Sequence, residues 1–390
     1  GRKFIVVKAE HNAKPSKDIK YLIIANSGRA LARSARKAGY EVGVIDKFLD
    51  TDTKKFASLA CKVKHAEPYT FDILELEKII KKYFLNSIVI IGSGFEINPE
   101  HINLIRKHIP VISNSAETIR TVKNPKFLKK ILNEESIQFP FTIFNREELV
   151  HSKNFLVKKI GGIGGGHVLY ESSLSNIGAL TDKDFYYQEF IEGTVYSAVF
   201  LANGNAANLI GLNRILGSKQ FPEHPFLYEG AISIAFKNEN TLVKIVSIIN
   251  KITKRSGLFG LCGIDFIIDE NEFIFIIDIN PRPPSTFELH ESQESLFAAH
   301  ISSFSGGSIN YSSVNHNFSK GHIIYYTKKN LLIPENLKWP AWVQDIPLGK
   351  QRILIKNPVC TIYAEGDSEK QVENRLINRF REIELFIKSI

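Results

Sequence analysis

Short apolar runs closed by small or polar residues punctuate the first third of the chain at the spacing of alternating strands and helices. Tyr21-Leu-Ile-Ile-Ala-Asn-Ser-Gly28 reads as a buried strand ending in a tight turn, and Arg29 to Ala38 carries helical spacing closed by Gly39. A strand follows over Glu41 to Asp46, then a helix over Ile73 to Tyr83, a strand over Ser87 to Gly92 and a further apolar piece at Val111 to Ile112. This alternation predicts a doubly wound α/β domain over about 20–115. Later the pattern changes. Strands are expected from Phe155, at Ser197 to Leu201 and at Ala206 to Leu212, a helix over Leu242 to Arg255, and an apolar hairpin over Gly263 to Ile279. A helix is expected over Phe287 to Phe304. Strands around His322 to Tyr326, Gln351 to Ile355 and Val359 to Ala364, with a helix over Glu369 to Phe380, predict a small α/β tail.

Composition narrows the class. With 390 residues and 44% hydrophobic content the chain can bury a large core in two or three domains. Its apolar runs are too short to span a bilayer, and the first residues show no signal-peptide pattern, so cytoplasm is the expected location and no membrane partner is expected. Three scattered cysteines, Cys61, Cys262 and Cys360, argue against a disulfide framework or a zinc cluster. The formal net charge of +9 is spread along the chain without a nucleic-acid-binding signature, so no nucleic acid is expected. Such a balance equally suits a site that gathers anionic nucleotides and carboxylates.

Two segments carry candidate chemistry. In Ile274 to Pro284 the residues Asp278, Asn280 and Arg282 stand at even spacing, which places them on one face if the strand continues, and Asp265 on the preceding strand stands across the turn. Buried together, two carboxylates and an amide oxygen call for a hard cation such as Mg²⁺. The plain alternative is a hairpin that leaves its sheet through an Asn-Pro turn. Lys158-Lys-Ile-Gly161-Gly-Ile-Gly164-Gly-Gly166-His167 runs from a strand into a glycine-dense loop whose backbone N–H groups can close around phosphate oxygens. It has neither the Walker A order nor a strand-to-helix Rossmann turn. A flexible hairpin is its alternative, and His167 reads as a polar loop residue. Gly28 with Asp46 lacks a full dinucleotide fingerprint, and Gly92-Ser-Gly-Phe-Glu96 follows a strand where open sheets place ligands. His290 and Glu294 stand one helical turn apart without a third ligand, so no zinc site is expected there. Trp339 and Trp342 read as packing residues.

Gly263-Ile-Asp-Phe-Ile with Asp278-Ile-Asn-Pro-Arg-Pro resembles the distal nucleotide site of the ATP-grasp superfamily, which includes biotin carboxylase, carbamoyl phosphate synthetase and D-alanine:D-alanine ligase. Asp278 stands where that pattern usually has Glu. The resemblance implies an α/β chain with an α+β ATP-grasp part: an N-terminal domain over 20–115, an ATP-grasp domain over 116–307 with a lid at about 140–190, and a C-terminal extension over 308–390. It implies that Asp265, Asp278 and Asn280 hold Mg²⁺, with Mn²⁺ as a substitute, and that Arg282 and Lys158 act in catalysis. For ATP it implies Lys126, with Lys123 as alternate, then Lys158, the loop glycines Gly161, Gly162, Gly164, Gly165 and Gly166, and the connector Glu189, Phe190 and Ile191.

The activity so implied is an ATP- and Mg²⁺-dependent ligase that turns a small carboxylate into an acyl phosphate for attack by an amine or similar nucleophile. Its rivals are an ATP-dependent carboxylase, a small-molecule kinase and a nucleotide sensor without catalysis. A homodimer is the expected assembly on general grounds.

Overall fold

The computed structural model describes residues 6–8, 19–64, 70–150, 152–174, 183–235, 238–311 and 318–390. Part of the expected lid, at 175–182, and the segment 312–317 within the expected C-terminal extension lie outside them.

The N-terminal sheet takes in β1 (Val6–Lys8), β2 (Tyr21–Ile24), β3 (Val42–Asp46), β4 (Leu59–Lys62), β5 (Ile88–Ile91) and β6 (Val111–Ile112) in the spatial order β1-β4-β3-β2-β5-β6. Strands β4-β3-β2-β5-β6 are parallel, and β1 adds an antiparallel edge that the apolar pattern did not signal. Leu22, Ile23 and Ile24 are wholly buried, as expected of a central parallel strand covered on both faces. The covering helices are α1 (Arg29–Lys37), α2 (Thr51–Phe56), α3 (Ile73–Tyr83) and α4 (Glu100–Arg106). Strand order reverses between β2 and β5. Their carboxyl ends carry Asn26-Ser-Gly28 and Gly92 to Glu96, tied by a bond from the Asn26 N–H to the Ser93 carbonyl at 2.9 Å.

Two helices, α5 (Ala116–Lys123) and α6 (Pro125–Glu134), lead out of this domain. Asn124 caps α6 by accepting the Lys126 N–H, and Pro125 fills its first turn. A four-stranded antiparallel sheet follows, from β7 (Thr142–Ile143), β8 (Phe155–Lys159), β9 (Leu169–Tyr170) and β10 (Phe185–Glu189), in the order β7-β10-β8-β9. The largest sheet has eight strands. Its members are β11 (Thr194–Asn203), β12 (Ala207–Ile215), β13 (Gly230–Ile234), β14 (Phe259–Ile268) and β15 (Ile274–Asn280), joined by strands from the tail. Helix α7 (Glu239–Ser256) packs Ile245, Ile249 and Ile252 against one face together with Leu128 and Leu132 of α6. Asn238 caps its start, and Gly257, at φ 63°, ends it in the left-handed conformation that glycine adopts without penalty.

Three expectations change here. The helix expected over Phe287 to Phe304 is broken: Ser285–His290 is a 3-10 helix, and α8 (Leu296–Phe304) starts afresh. The break has local causes. Ser295 caps the Ala298 N–H, Glu291 accepts the Leu296 N–H, and Ser34 of α1 accepts the Phe297 N–H, so side chains and a neighbouring helix satisfy the donors of a new helix start. The tail also does not stand apart. Strands β16 (Ser319–Tyr326), β18 (Val343–Gln344) and β20 (Pro358–Gly366) extend the large sheet beyond β13, so that sheet continues across position 308. A small pair, β17 (Leu331–Leu332) with β19 (Arg352–Ile353), takes the place of the longer strand expected at Gln351 to Ile355. Helix α9 (Glu369–Lys388) covers β16 and β20, with Trp339 edge-on to Phe386 and Arg379 over Trp342.

On the opposite face of the large sheet, α8 packs with Phe287 against β2 and α1, which fixes the N-terminal domain to the rest. His300 of α8 is 2% exposed and its Nδ1 accepts the Leu261 N–H at 2.9 Å, an approach that Gly260 permits by lacking a Cβ. Burial pushes its imidazole from 6.5 down to about 4. The folded state therefore keeps His300 neutral while the unfolded chain takes a proton below 6.5. Its contribution is fully present above that pH and is lost as pH falls towards 4. Between those limits the wild-type unfolding free energy is expected to fall by about 3 kcal/mol more than that of His300→Gln. Parallel urea melts across this range check it, and identical pH slopes would refute it.

Candidate active site

The parallel sheet's reversal point, the end of β15 and the glycine loop meet in one place. The centre is the β14–β15 hairpin. Asp265 stands directly opposite Asp278 because the register shifts at Asp265/Phe266, leaving Ile277 as an extra residue between Ile276, opposite Phe266, and Asp278. Without that bulge Asp265 would face Ile277 and point to the other side of the sheet. Asn280, two residues on, shares the face of Asp278 and donates through Nδ2 to Asp265 Oδ2 at 3.3 Å.

Asp265 is thus buried with a like charge directly opposite it. Burial, then the charge of Asp278, pushes the Asp265 carboxyl from 3.8 up to about 7, against the pull of Lys123 and Arg282. Lys123, at the last position of α5, puts Nζ 2.8 Å from both oxygens of Asp278 with its own side chain 3% exposed. The resemblance implied Lys126, with Lys123 as alternate, at the nucleotide phosphates. In the structure Lys126 is exposed with Nζ over the Phe144 ring at 5.0 Å, and Lys123 is the one paired with Asp278. Both sit near the α5–α6 junction, and only the chain direction there separates them. Lys123→Ala is therefore expected to cost about 2 kcal/mol of stability, the scale of a lost charged bond, whereas Lys126→Ala changes stability little. Thermal melts of the two variants test this. Equal effects would overturn the distinction.

Arg282, just past β15, donates from Nε to Glu96 Oε1 at 2.7 Å and from Nη1 to its neighbour's carbonyl, Pro283, at 3.2 Å. Glu96 Oε2 accepts the Gly94 and Phe95 N–H groups at 2.7 and 2.9 Å. Burial raises the Glu96 carboxyl, but Arg282, Lys123 and these bonds outweigh it, so it lies below its ordinary value and stays charged. Sequence reasoning noted the Gly92 to Glu96 turn as a ligand position. It had no signal that Glu96 orients Arg282, since the two are far apart along the chain.

Lys158, on β8, donates from Nζ to Gln188 Oε1 at 2.8 Å, and Gln188 in turn holds Thr142. Burial lowers the ammonium to about 8, against the pull of Asp278 and Asp265, which places Lys158 within the field of the acids. Gly161, Gly164 and Gly165 have φ of 73°, 72° and 70°, which favours glycine at each. A Cβ on Gly165 would strike the Phe226 carbonyl, and one on Gly161 would come within 2.8 Å of the Glu96 carbonyl, so the loop lies down against both. Gly162 faces the His167 ring, and His167 Nδ1 accepts the Lys159 N–H at 3.2 Å. Burial, with Lys158, takes His167 down to about 4. It is a loop histidine, as the sequence reads it, and it serves as a neutral brace for the loop.

In the connector, Glu189 pairs with Lys153 at 2.6 Å, and the Glu189 and Phe190 N–H groups already serve the Phe141 and Asn154 carbonyls. Ile191 donates no backbone bond among the described residues. The Phe190 ring lies with Tyr170 and Phe226 at 5.7 and 6.3 Å, an apolar wall that periodicity did not reveal. His290 Nε2 contacts Asn213 Oδ1 at 2.8 Å, in a network that reaches Ser197, the residue paired with Asp265.

As a metal site, the donor set is two carboxylates and an amide, with no group of three His, Cys, Asp or Glu side chains suited to a metal among the described residues. That set fits Mg²⁺, which takes one or two carboxylates and completes its shell with water and substrate phosphates. Burial, then the like charge of Asp278, raises the Asp265 carboxyl, and a cation held between the two would favour its ionised form.

Residues 96–286 match the ATP-grasp domain family, so the chain carries an ATP-grasp domain. An uncharacterized protein of Methanocaldococcus jannaschii is 25% identical over 391 residues, covering 94% of this chain and 93% of that protein. Tyramine–L-glutamate ligase of the same organism is 28% identical over 218 residues, covering 54% of this chain and 60% of the ligase. D-alanine–D-alanine ligase of Carboxydothermus hydrogenoformans is 25% identical over 296 residues, covering 67% and 83%. Biotin carboxylase of Campylobacter jejuni superposes with a TM-score of 0.67 at 14% identity, over 92% of this chain and 90% of the enzyme. The biotin carboxylase domain of Hydrogenobacter thermophilus 2-oxoglutarate carboxylase, solved with Mg-ADP and bicarbonate, gives 0.69 at 12%, over 92% and 88%. L-amino acid ligase of Bacillus licheniformis gives 0.65 at 13%, over 94% and 97%. These structures share the fold: a parallel α/β sheet followed by antiparallel ATP-grasp sheets.

Proposed function

We propose that this ATP-grasp protein joins a small carboxylate to an amine at the expense of ATP, by way of an acyl phosphate. The convergence of Arg282, Lys123 and Lys158 on the Asp265–Asp278–Asn280 face carries the reading, because it gathers cations and oxygen ligands beside a sheet reversal point where open α/β sheets bind ligands. The named ligases among the relatives support the carboxylate–amine class.

A carboxylate is a poor electrophile, and phosphorylation gives it a leaving group. In this reading a carboxylate oxygen takes the terminal phosphoryl group of ATP and ADP departs; the amine then attacks the acyl carbon and phosphate leaves. Asp265, Asp278 and Asn280 would hold Mg²⁺, which when bound supplies charge neutralisation on the terminal phosphates. Lys158 and the glycine-loop amides would bind and shield those phosphates from water. Arg282, aimed by Glu96, would meet the negative charge that grows on the transferring group. Phe190 would pack on the adenine, with Glu189 and the Ile191 backbone at its polar edge.

The test is release of ADP and phosphate from Mg-ATP with pooled carboxylates, each with and without pooled amines, and with bicarbonate as a separate arm. Release that requires both a carboxylate and an amine is expected. Release with bicarbonate alone would replace the ligase by a carboxylase, and tight ATP binding with no release from any pool would replace it by a nucleotide sensor.

A further inference from the structure

Between α1, the Ser285–His290 turn, β16 and β20 lies an open pocket of about 350 Å³ lined by Arg33, Lys37, Glu288, Glu291, Lys320, Tyr363 and Glu365. Its floor is already balanced. Arg29, 3% exposed, forks onto both oxygens of Glu288 at 2.9 and 2.7 Å and reaches Asp345 at 2.7 Å, tying the N-terminal domain to the tail. With Glu288 matched by Arg29, three cations and two carboxylates remain on the walls.

The cations are held together without being fully matched. Arg33 stands 3.2 Å from the spent Glu288, Lys37 donates to the Ser292 carbonyl, and Lys320 reaches the Glu291 carbonyl at 3.4 Å. Two of the three thus rest on neutral carbonyls. Burial, with Arg33 and Lys37 adding to it, lowers the Lys320 ammonium against the pull of Glu365 and Glu291, so like charges converge here. The carboxylates are also available. Glu291 takes its bonds from Ser34 and the Leu296 N–H on Oε1, leaving Oε2 without a hydrogen bond among the described residues, and the Glu365 side chain makes none among them. Neighbouring positive and negative walls in a cavity of small-ligand size suit a ligand carrying both charges close together. A phosphate would gain the cations and meet repulsion from Glu291 and Glu365.

We propose that this cavity binds an α-amino acid as its zwitterion, with the carboxylate towards Arg33, Lys37 and Lys320 and the ammonium towards Glu291 and Glu365. The site shares no lining residue with the acid cluster and does not rest on the ligase reading.

Titration calorimetry of the full chain without ATP, against each of the protein amino acids and against inorganic phosphate and acetate, tests it. At least one amino acid is expected to bind saturably, with its N-acetyl and carboxamide derivatives each weaker by about tenfold or more. Lys320→Ala and Glu365→Gln, checked for folding by thermal melts, are each expected to weaken that amino acid by a similar factor. Glu365 is exposed and makes no side-chain hydrogen bond among the described residues, so at least that variant keeps its fold. The proposal is overturned if no amino acid binds, if the capped derivatives bind as well as the zwitterion, or if folded Glu365→Gln binds like wild type. Because no nucleotide is present, failure here and failure of ADP release are read independently.

Discussion

Arg282→Ala is expected to lower turnover by about 10²–10³ while ATP affinity stays within a few-fold, the loss typical of one preorganised donor to transition-state charge. The guanidinium is fixed before substrate arrives: Glu96 holds Nε, and Glu96 is itself held by two backbone amides. With side chains 14% and 3% exposed, the pair has little freedom to swing away. Glu96→Gln keeps the shape and removes the charge that aims Arg282, so a smaller fall in kcat is expected with the KM for ATP unchanged. Arg282→Lys should rescue little, because an ammonium cannot be gripped by Glu96 and still present a second row of donors. Single-turnover ADP release beside nucleotide binding separates these effects. Undiminished turnover in Arg282→Ala would remove the residue from the chemistry.

Asp278→Ala carries the largest expected loss, at least about 10³ in turnover, equivalent to several kcal/mol of charge stabilisation. Two consequences combine. The set of oxygen ligands loses a carboxylate, and Lys123 loses the partner that meets its ammonium at 2.8 Å on both oxygens. Removing Asp278 also removes the like charge opposite Asp265, so the Asp265 carboxyl should fall below about 7 while burial still holds it above its ordinary value. Asp278→Glu restores the acid usual in the resembling proteins and is expected to keep turnover that Asp278→Ala loses. Mg²⁺ titrations of ADP release in both variants test this. A fully active Asp278→Ala would exclude the metal role of this face.

Much of the candidate site was legible because its motifs are local. Gly161 to Gly166 announces a loop that needs left-handed backbone, and the structure shows φ near 70° at three of those glycines. Asp278 and Asn280 share a face because a strand repeats every two residues, a rule that needs no tertiary information. The partners of Lys123, Arg282 and Lys158 were not legible, since each meets a group brought in from another sheet or from the far side of the chain. The broken helix at 291–295 was missed for a related reason. Residues 290–295 are all polar, which suits an exposed stretch of helix as well as a break, and the contacts of Ser34 and Glu291 show where one helix stops and the next begins.

By itself the sequence determined the alternation of strands and helices that builds the N-terminal sheet, the shared face of Asp278 and Asn280, and the position of the loop glycines with left-handed backbone. Apolar periodicity and backbone sterics act over a few residues, so they are written locally. Tertiary structure alone decided which lysine joins the acids, that Glu96 aims Arg282, and that the tail strands continue the large sheet. It also decided that Asp265 faces Asp278. That last point turns on one extra residue, Ile277: a bulge of one position flips a side chain across a sheet, and which register wins is set by packing on both faces rather than by the hairpin's own residues.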